Sequence, residues 1–374
     1  MQRPKIKNEH WPVRYGDDVV RIGGIVPGIA KNIPDPDGWV WALLGLLDGT
    51  RTVDQVVAEL VHRFPAKPAD EVHTEVRVDL VKLVEAGYVE DAAELPPEGL
   101  TAGERERYSR GRALLGWMDL SVRQSSWDIQ MRLRQARVVV VGVGGVGGVA
   151  ALSLALSGVG ELHLVEPDVV EMSNLNRQVL FTERDVGRPK VEAAVERLRY
   201  HNSDIAVTGA ALTITGAAML AALAARFDVL VLTADQPREI RSWANQACVR
   251  TGTAWVHGGY HGPWVNVGMY RPGTGPCYDC AYVADREHQA RLPPRTPAPC
   301  GRTPAPHPAN AISAGIAGHR VAHAAMSLIT GVPPLPANQE YGTSLVTFAD
   351  SVVLGPSAPR PDCPACGSEA QTRP

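Results

Sequence analysis

The chain has 374 residues, with 37 Lys and Arg against 40 Asp and Glu for a net charge of -3. A chain this long buries a large core and divides into about two domains, and without a basic surplus it lacks the electrostatic footprint of a nucleic-acid binder. The opening MQRPKIKNEH has no apolar run behind its basic residues, which argues against a secretory signal, and the apolar stretch from Gly142 to Gly160 is too crowded with glycine for a membrane span. A cytoplasmic protein with no membrane or nucleic-acid partner is expected.

Residues 10–92 read as a small separate domain. DDVVRIGG alternates like a short strand, GWVWALLGLLDGT is an apolar helix ended by Asp-Gly, and TVDQVVAELVHRF is a helix with a Thr cap. ADEVHTEVRVDLVKLVEAGYVED supplies a third helix, closed by Gly87 and followed by the extended YVE. The outline is that of a winged helix, assigned here to residues 1–92. Its third helix carries Glu71, Glu75, Asp79 and Glu85, a poor surface for a phosphate backbone. The apolar helix, the DGTRTVDQVV step and the terminal GYV resemble PqqD-like precursor-peptide recognition domains, which implies a peptide as the partner. Residues 93–128 form a polar connector that includes GERERYSRGR.

From residue 129 onward the pattern is α/β. Strands expected at Arg137–Val141, Glu161–Val165 and Asp228–Leu232 alternate with helices, the mark of a doubly wound, Rossmann-like parallel sheet. RVVVVGVGGVGG ends its first strand in a turn where Gly142 permits a positive φ and Gly144 lets a ligand approach the backbone. The following helix points its free amides at an anion. That turn suits dinucleotides, ATP and methyl donors alike. Glu166, about twenty residues on, is placed to accept from a ribose hydroxyl. Beyond it, SNLNRQVLFTERDVGRPK adds Arg177 and Lys190 as cations and Asn174 and Gln178 as amides, a set built for a polyphosphate. Asp235, at the carboxyl end of a parallel strand, is a natural Mg²⁺ ligand opposite those phosphates, or else a helix cap. Between Ala284 and Pro308 the chain turns Pro-rich and is expected to cross the surface as a loop.

Six cysteines fall at 248, 277, 280, 300, 363 and 366. Cys277 and Cys280, with Cys363 and Cys366, make two C-x-x-C pairs beside Gly/Pro turns, which reads as one structural Zn²⁺ site with no open position for catalysis. Cys248 reads as core. Cys300 reads as incidental, although Arg295 and Arg302 beside it would favour a thiolate. The histidines at 257, 261, 319 and 323 read as structural or surface residues.

The order of GxGGxG, acidic strand end, SNLNRQ, DVGRPK, TAD and two C-x-x-C pairs resembles the ThiF/MoeB superfamily of ubiquitin-activating-type adenylating enzymes, over Tyr108 to Gly367. RQVLFTERDVGRPK, TADQP and GPCYDC are most similar to its microcin C-type peptide-adenylating branch. The resemblance implies that Gly142, Gly144, Gly145 and Gly147 shape an ATP turn and that Glu166 holds the ribose. It further implies that Asn174, Arg177, Gln178 and Lys190 contact phosphates, that Asp235 holds Mg²⁺, and that Arg110 serves the partner subunit's ATP in a homodimer. Glu166 stands where the superfamily more often has Asp, and Arg110 lies farther than usual from the first strand. The implied reaction is adenylation of a precursor peptide's C-terminal carboxylate in natural-product maturation. The rivals are activation of a Gly-Gly-ending sulfur carrier and non-catalytic delivery of a leader peptide.

Overall fold

The computed structural model describes residues 1–95, 97–123, 125–293, 308–353, 356 and 358–367. The chain divides into two units, Met1–Met131 and Arg132–Pro374. The first runs β1 (Pro4–Ile6), β2 (Val13–Tyr15), β3 (Val19–Ile22), β4 (Lys31–Pro34), α1 (Trp39–Leu46), α2 (Val53–Arg63), α3 (Ala69–Glu85), β5 (Val89–Asp91) and α4 (Ala102–Met118). α2 starts where the sequence placed it, because Thr52 and Gln55 close a reciprocal capping box. It buries Val56, Val57 and Leu60 against Val72, Val76, Leu80 and Leu83, which recur at helical spacing on α3. Gly87 ends that helix at φ +75°, where a Cβ would run into the backbone of Leu120. β2, β3 and β4 form an antiparallel sheet in that order, and β1 pairs with β5. The segment 93–128, read as a connector, carries the helix α4 over about half its length, and Thr101 and Glu104 cap that helix with a second capping box.

α5 (Asp128–Gln135) leads to β6 (Arg137–Val141), α6 (Gly145–Leu156), β7 (Glu161–Val165), α7 (Lys190–His201), β8 (Ala206–Ala210), α8 (Ala217–Ala224), β9 (Val229–Leu232), α9 (Ile240–Thr251), β10 (Ala254–His261) and β11 (Trp264–Tyr270). α10 (Tyr278–Arg291), α11 (Ala311–Thr330), β12 (Gln339–Ser344) and β13 (Asp350–Val353) follow. The eight-stranded sheet has the order β13-β12-β11-β10-β9-β6-β7-β8. β8, β7, β6, β9 and β10 are parallel, and the remainder antiparallel. α8 and α9 cover one face, packing on Val139, Val141, Leu230, Leu232 and Trp255. α11 covers the other, and Gly318 lets it approach α6, since a Cβ there would strike Val149 and Val146 O.

The strand order reverses between β6 and β9, so the crevice at their carboxyl ends is where an open α/β sheet takes its ligand. One expectation needs correcting. The Pro-rich loop was to begin at Ala284, but α10 stays helical through Arg291, with prolines arriving only beyond it. Residues 294–307, including Arg295, Cys300 and Arg302, lie outside the described residues. Among the described residues no helix is long and apolar enough to cross a membrane.

Candidate active site

At the switch point the chain leaves β6 through Gly142, at φ +92°. A Cβ there would approach Ala234 N to 2.5 Å, so both the left-handed backbone and the neighbouring loop require glycine. Gly144 then caps α6 without any side-chain cap. The bond from Gly148 N–H to Gly144 O at 2.8 Å is the first of the helix, which leaves the amides before it free to face an anion. A Cβ on Gly144 would meet only Gln178 Nε2, at 3.7 Å, so the space over this residue is open. Gly147 is held differently: a Cβ would collide with Gly142 O and Thr233 Oγ1. Gly145 packs on Ala314 of α11 and on the Arg177 stem.

Glu166, at the end of β7, is buried and braces the turn. It accepts from Val143 N–H at 2.7 Å and from Asp168 N–H at 3.0 Å, which leaves lone pairs on both oxygens. The SNLNRQ loop then folds back over the turn. Buried Asn174 accepts from Glu171 N–H at 3.1 Å, and the Arg177 guanidinium donates to Ser173 O and Asn176 Oδ1, both at 2.9 Å. No carboxylate pairs with Arg177 among the described residues. Gln178 is buried with its Oε1 unpartnered, a costly state that a ligand donor would relieve. Lys190, at the start of α7, donates to Asp168 Oδ2 at 3.0 Å, and the pair is lopsided: the lysine side chain is 7% exposed and the aspartate 66%.

Thr233 and Ala234 bond back to Val141 O at 2.9 and 3.0 Å, which sets Asp235 on an exposed loop beside the glycine turn. An exposed carboxylate on a loop beside the glycine turn suits Mg²⁺, which keeps waters and phosphate oxygens alongside one or two carboxylates. The structure thus gathers Gly142, Gly144, Gly145, Gly147, Glu166, Asn174, Arg177, Gln178, Lys190 and Asp235 at one end of the sheet. Arg110 is exposed on α4 of the first unit. Asp168 and Thr233 were not singled out in the sequence. Asp168 stands two residues after Glu166, and only the return of the chain to Lys190 gives it a partner.

The four C-x-x-C sulfurs lie within 4.8 Å of one another, with Cys277, Cys280 and Cys363 buried. Cys277 Sγ is 3.5 Å from Cys363 Sγ, and Cys280 Sγ is 3.4 Å from Cys366 Sγ. Asn245 Nδ2 donates to Cys277 Sγ at 3.3 Å and Arg360 N–H to Cys280 Sγ at 3.4 Å, bonds suited to thiolates. Burial pushes the Cys277 thiol up and the Cys366 thiol up to about 12, whereas at Cys280 burial is outweighed by hydrogen bonds, Arg360 N–H foremost, that hold its thiol down; a bound cation would ionise the raised thiols. Four sulfur donors in this arrangement fit Zn²⁺. Cys248 is fully buried in the core, as expected.

The family model for ThiF matches residues 117–365, and that for the PaaA-like N-terminal domain matches residues 10–64. The chain belongs to the ThiF family. The adenylyltransferase and sulfurtransferase MOCS3 of Arabidopsis thaliana is 32% identical over 60% of this chain and 46% of its own length. The sulfur carrier protein ThiS adenylyltransferase of Bacillus subtilis is 32% identical over 64% of this chain and 67% of its own. The chain therefore spans about half of one relative and two thirds of the other. The crystal structure of E. coli MccB with AMPCPP and MccA has a TM-score of 0.72 at 24% identity, covering 98% of this chain and 100% of that one, and so shares the fold. These ThiF-family relatives support an ATP-dependent adenylyltransferase.

Proposed function

We propose that this ThiF-family protein uses ATP and Mg²⁺ to adenylate the C-terminal carboxylate of a ribosomally made precursor peptide, and that it works as a homodimer. The reading rests on the switch-point turn, where uncapped helix amides, an Arg177 with no carboxylate partner among the described residues, and a buried Lys190 lie at the carboxyl ends of β6 and β7. Glu166 takes the ribose through its free lone pairs. Arg177, Gln178, Asn174 and Lys190 hold the phosphates, and Asp235 would hold Mg²⁺, which when bound would neutralise charge on the phosphates. A carboxylate oxygen of the peptide attacks the α-phosphorus, the bond to the pyrophosphate oxygen breaks, and the acyl adenylate forms. The carboxylate is already ionised at neutral pH, so the protein needs no nucleophile or base, only alignment and charge stabilisation. Arg110 would add a further cation from the partner subunit, and one Zn²⁺ on the four cysteines would tie the tail to α10.

The first unit, with its PaaA-like match, would hold the rest of the peptide as a strand added to an edge of the three-stranded sheet. MccB, a structural neighbour, was crystallised with the peptide MccA. A second reading, activation of a sulfur-carrier protein, is favoured by the curated relatives. Peptide-dependent exchange of pyrophosphate into ATP tests the proposal. Asp235→Asn should slow it by about two orders of magnitude, and a peptide amidated at its C-terminus should support none. Exchange that survives amidation would exclude the acyl adenylate, and exchange only with a folded carrier ending in Gly-Gly would select the second reading.

A further inference from the structure

Gly142 O and Val143 N–H belong to one peptide unit, the first after β6, and planarity makes the two groups turn together. Val143 N–H donates to Glu166 Oε2 at 2.7 Å. At the other side of the unit, Thr233 Oγ1 donates to Gly142 O at 2.7 Å, with Val141 O at 3.3 Å as the weaker acceptor. Gly142 is buried, and among the described residues no backbone amide reaches its carbonyl. The hydroxyl therefore supplies the donor that a buried carbonyl requires. One peptide is thus pinned twice: its N–H by the residue after β7, its C=O by the residue after β9.

The surroundings are shaped to admit this bond. A Cβ on Gly147 would collide with both Gly142 O and Thr233 Oγ1, so the last glycine of the motif leaves room for the hydroxyl. Thr233 N–H and Ala234 N–H both donate to Val141 O, which draws the loop before Asp235 against the end of β6. The pin is needed because of what precedes it. Gly142 sits at φ +92° with no side chain to hinder rotation, so a half-turn of the Gly142–Val143 peptide meets little steric resistance. Such a turn would exchange the directions of Gly142 O and Val143 N–H and carry the amides that follow out of line.

We propose that Thr233 is a positioning residue for the nucleotide site: its hydroxyl locks the Gly142–Val143 peptide, keeps the free amides at the start of α6 aimed at the phosphates, and holds the Asp235 loop in register with them. The inference rests on the reading of this turn as the phosphate cradle. Thr233 has one proton to give and gives it to Gly142 O, so it acts through the backbone. Donors aligned before the anion arrives need no reordering when it binds, and that alignment is what the hydroxyl maintains.

The dissociation constants of inorganic triphosphate and of adenosine, each read from displacement of a fluorescent ATP analogue, test this without catalysis. Thr233→Val keeps the branched shape and removes the donor, so the constant for triphosphate should rise by about tenfold while that for adenosine stays unchanged. Thr233→Ser keeps the hydroxyl and should stay within about threefold of the wild type for both. Thr233→Ala, which cannot overfill the site, gives the same comparison if the valine chain does not fold. Equal weakening of triphosphate and adenosine would make the hydroxyl a general structural support and overturn the proposal. So would unchanged constants in the valine and alanine chains, or a serine chain as impaired as the valine one. A wild-type protein that binds the ATP analogue but no triphosphate would overturn the cradle reading itself, and the role of Thr233 with it.

Discussion

Lys190→Met keeps most of the side chain's volume and removes its charge. The partner it abandons, Asp168, is 66% exposed and returns to water, so the stability lost is that of a surface pair, about 0–1 kcal/mol. At the nucleotide the loss is larger, because a fixed cation facing charge that develops on departing phosphates is worth about 10²–10³ in rate, or roughly 3–4 kcal/mol. The opposite change, Asp168→Asn, leaves an ammonium on a side chain only 7% exposed without its counter-ion. That should cost about 1–3 kcal/mol, most of it regained when ATP supplies a new anion. Urea unfolding with and without ATP, beside pyrophosphate exchange, separates the two. The expected pattern is a stable, inactive Lys190→Met and a destabilised Asp168→Asn that ATP rescues more than it does the wild type. If Lys190→Met loses as much stability as Asp168→Asn, or keeps more than about a tenth of its exchange, Lys190 is a structural residue.

Cys280→Ser should release metal and lower the unfolding midpoint without touching a nucleotide contact. Metal analysis of the purified wild type should find about one zinc per chain, and less than about half with an intact fold would contradict a shared site. His10, fully buried against Tyr88, is pushed down to about 4 by burial and then by the Lys7 charge. Its folded pKa lies below the unfolded value of about 6.5, so between the two the unfolded chain carries the extra proton, and stability falls as pH drops from about 6.5 to about 4. His10→Phe should lessen the fall in unfolding midpoint between pH 7 and pH 5, and an identical pH slope in the variant would contradict this.

The central strands were legible because β6 and β9 read as nearly unbroken apolar runs and β7, Glu-Leu-His-Leu-Val, alternates buried leucines with half-buried Glu161 and His163. β8, at the edge, alternates weakly and ends in Thr-Gly-Ala, and β10 is interrupted by two glycines, so neither carries that signature. α4 went unread because its charged, nearly stripe-free sequence has no apolar period, although the Thr101–Glu104 box marked its start. At the site, residue types were readable and their bookkeeping was not. Nothing local shows that Lys190 rests on Asp168, that Gln178 Oε1 has no partner, or that His257, read as structural, pairs with Glu340 across two strands. Each depends on segments that meet only after the sheet has formed. The two C-x-x-C pairs were the exception, since each turn presents both of its sulfurs through local geometry alone.

Gly318 sits two turns along the last long helix, outside every nucleotide motif, yet it sets how closely α11 lies on α6. Because Ala314, one turn earlier, rests against Gly145 at the mouth of the phosphate cradle, the two helices meet the site as a single lever rather than as neighbours. A methyl group at position 318 would act at the fulcrum, prising the helices apart and swinging the free amides away from where an anion sits. On the proposed function, the grip on phosphate is a property of a helix pair that originates more than a hundred and fifty residues apart in the chain, and a change in affinity can begin at a residue outside every nucleotide motif.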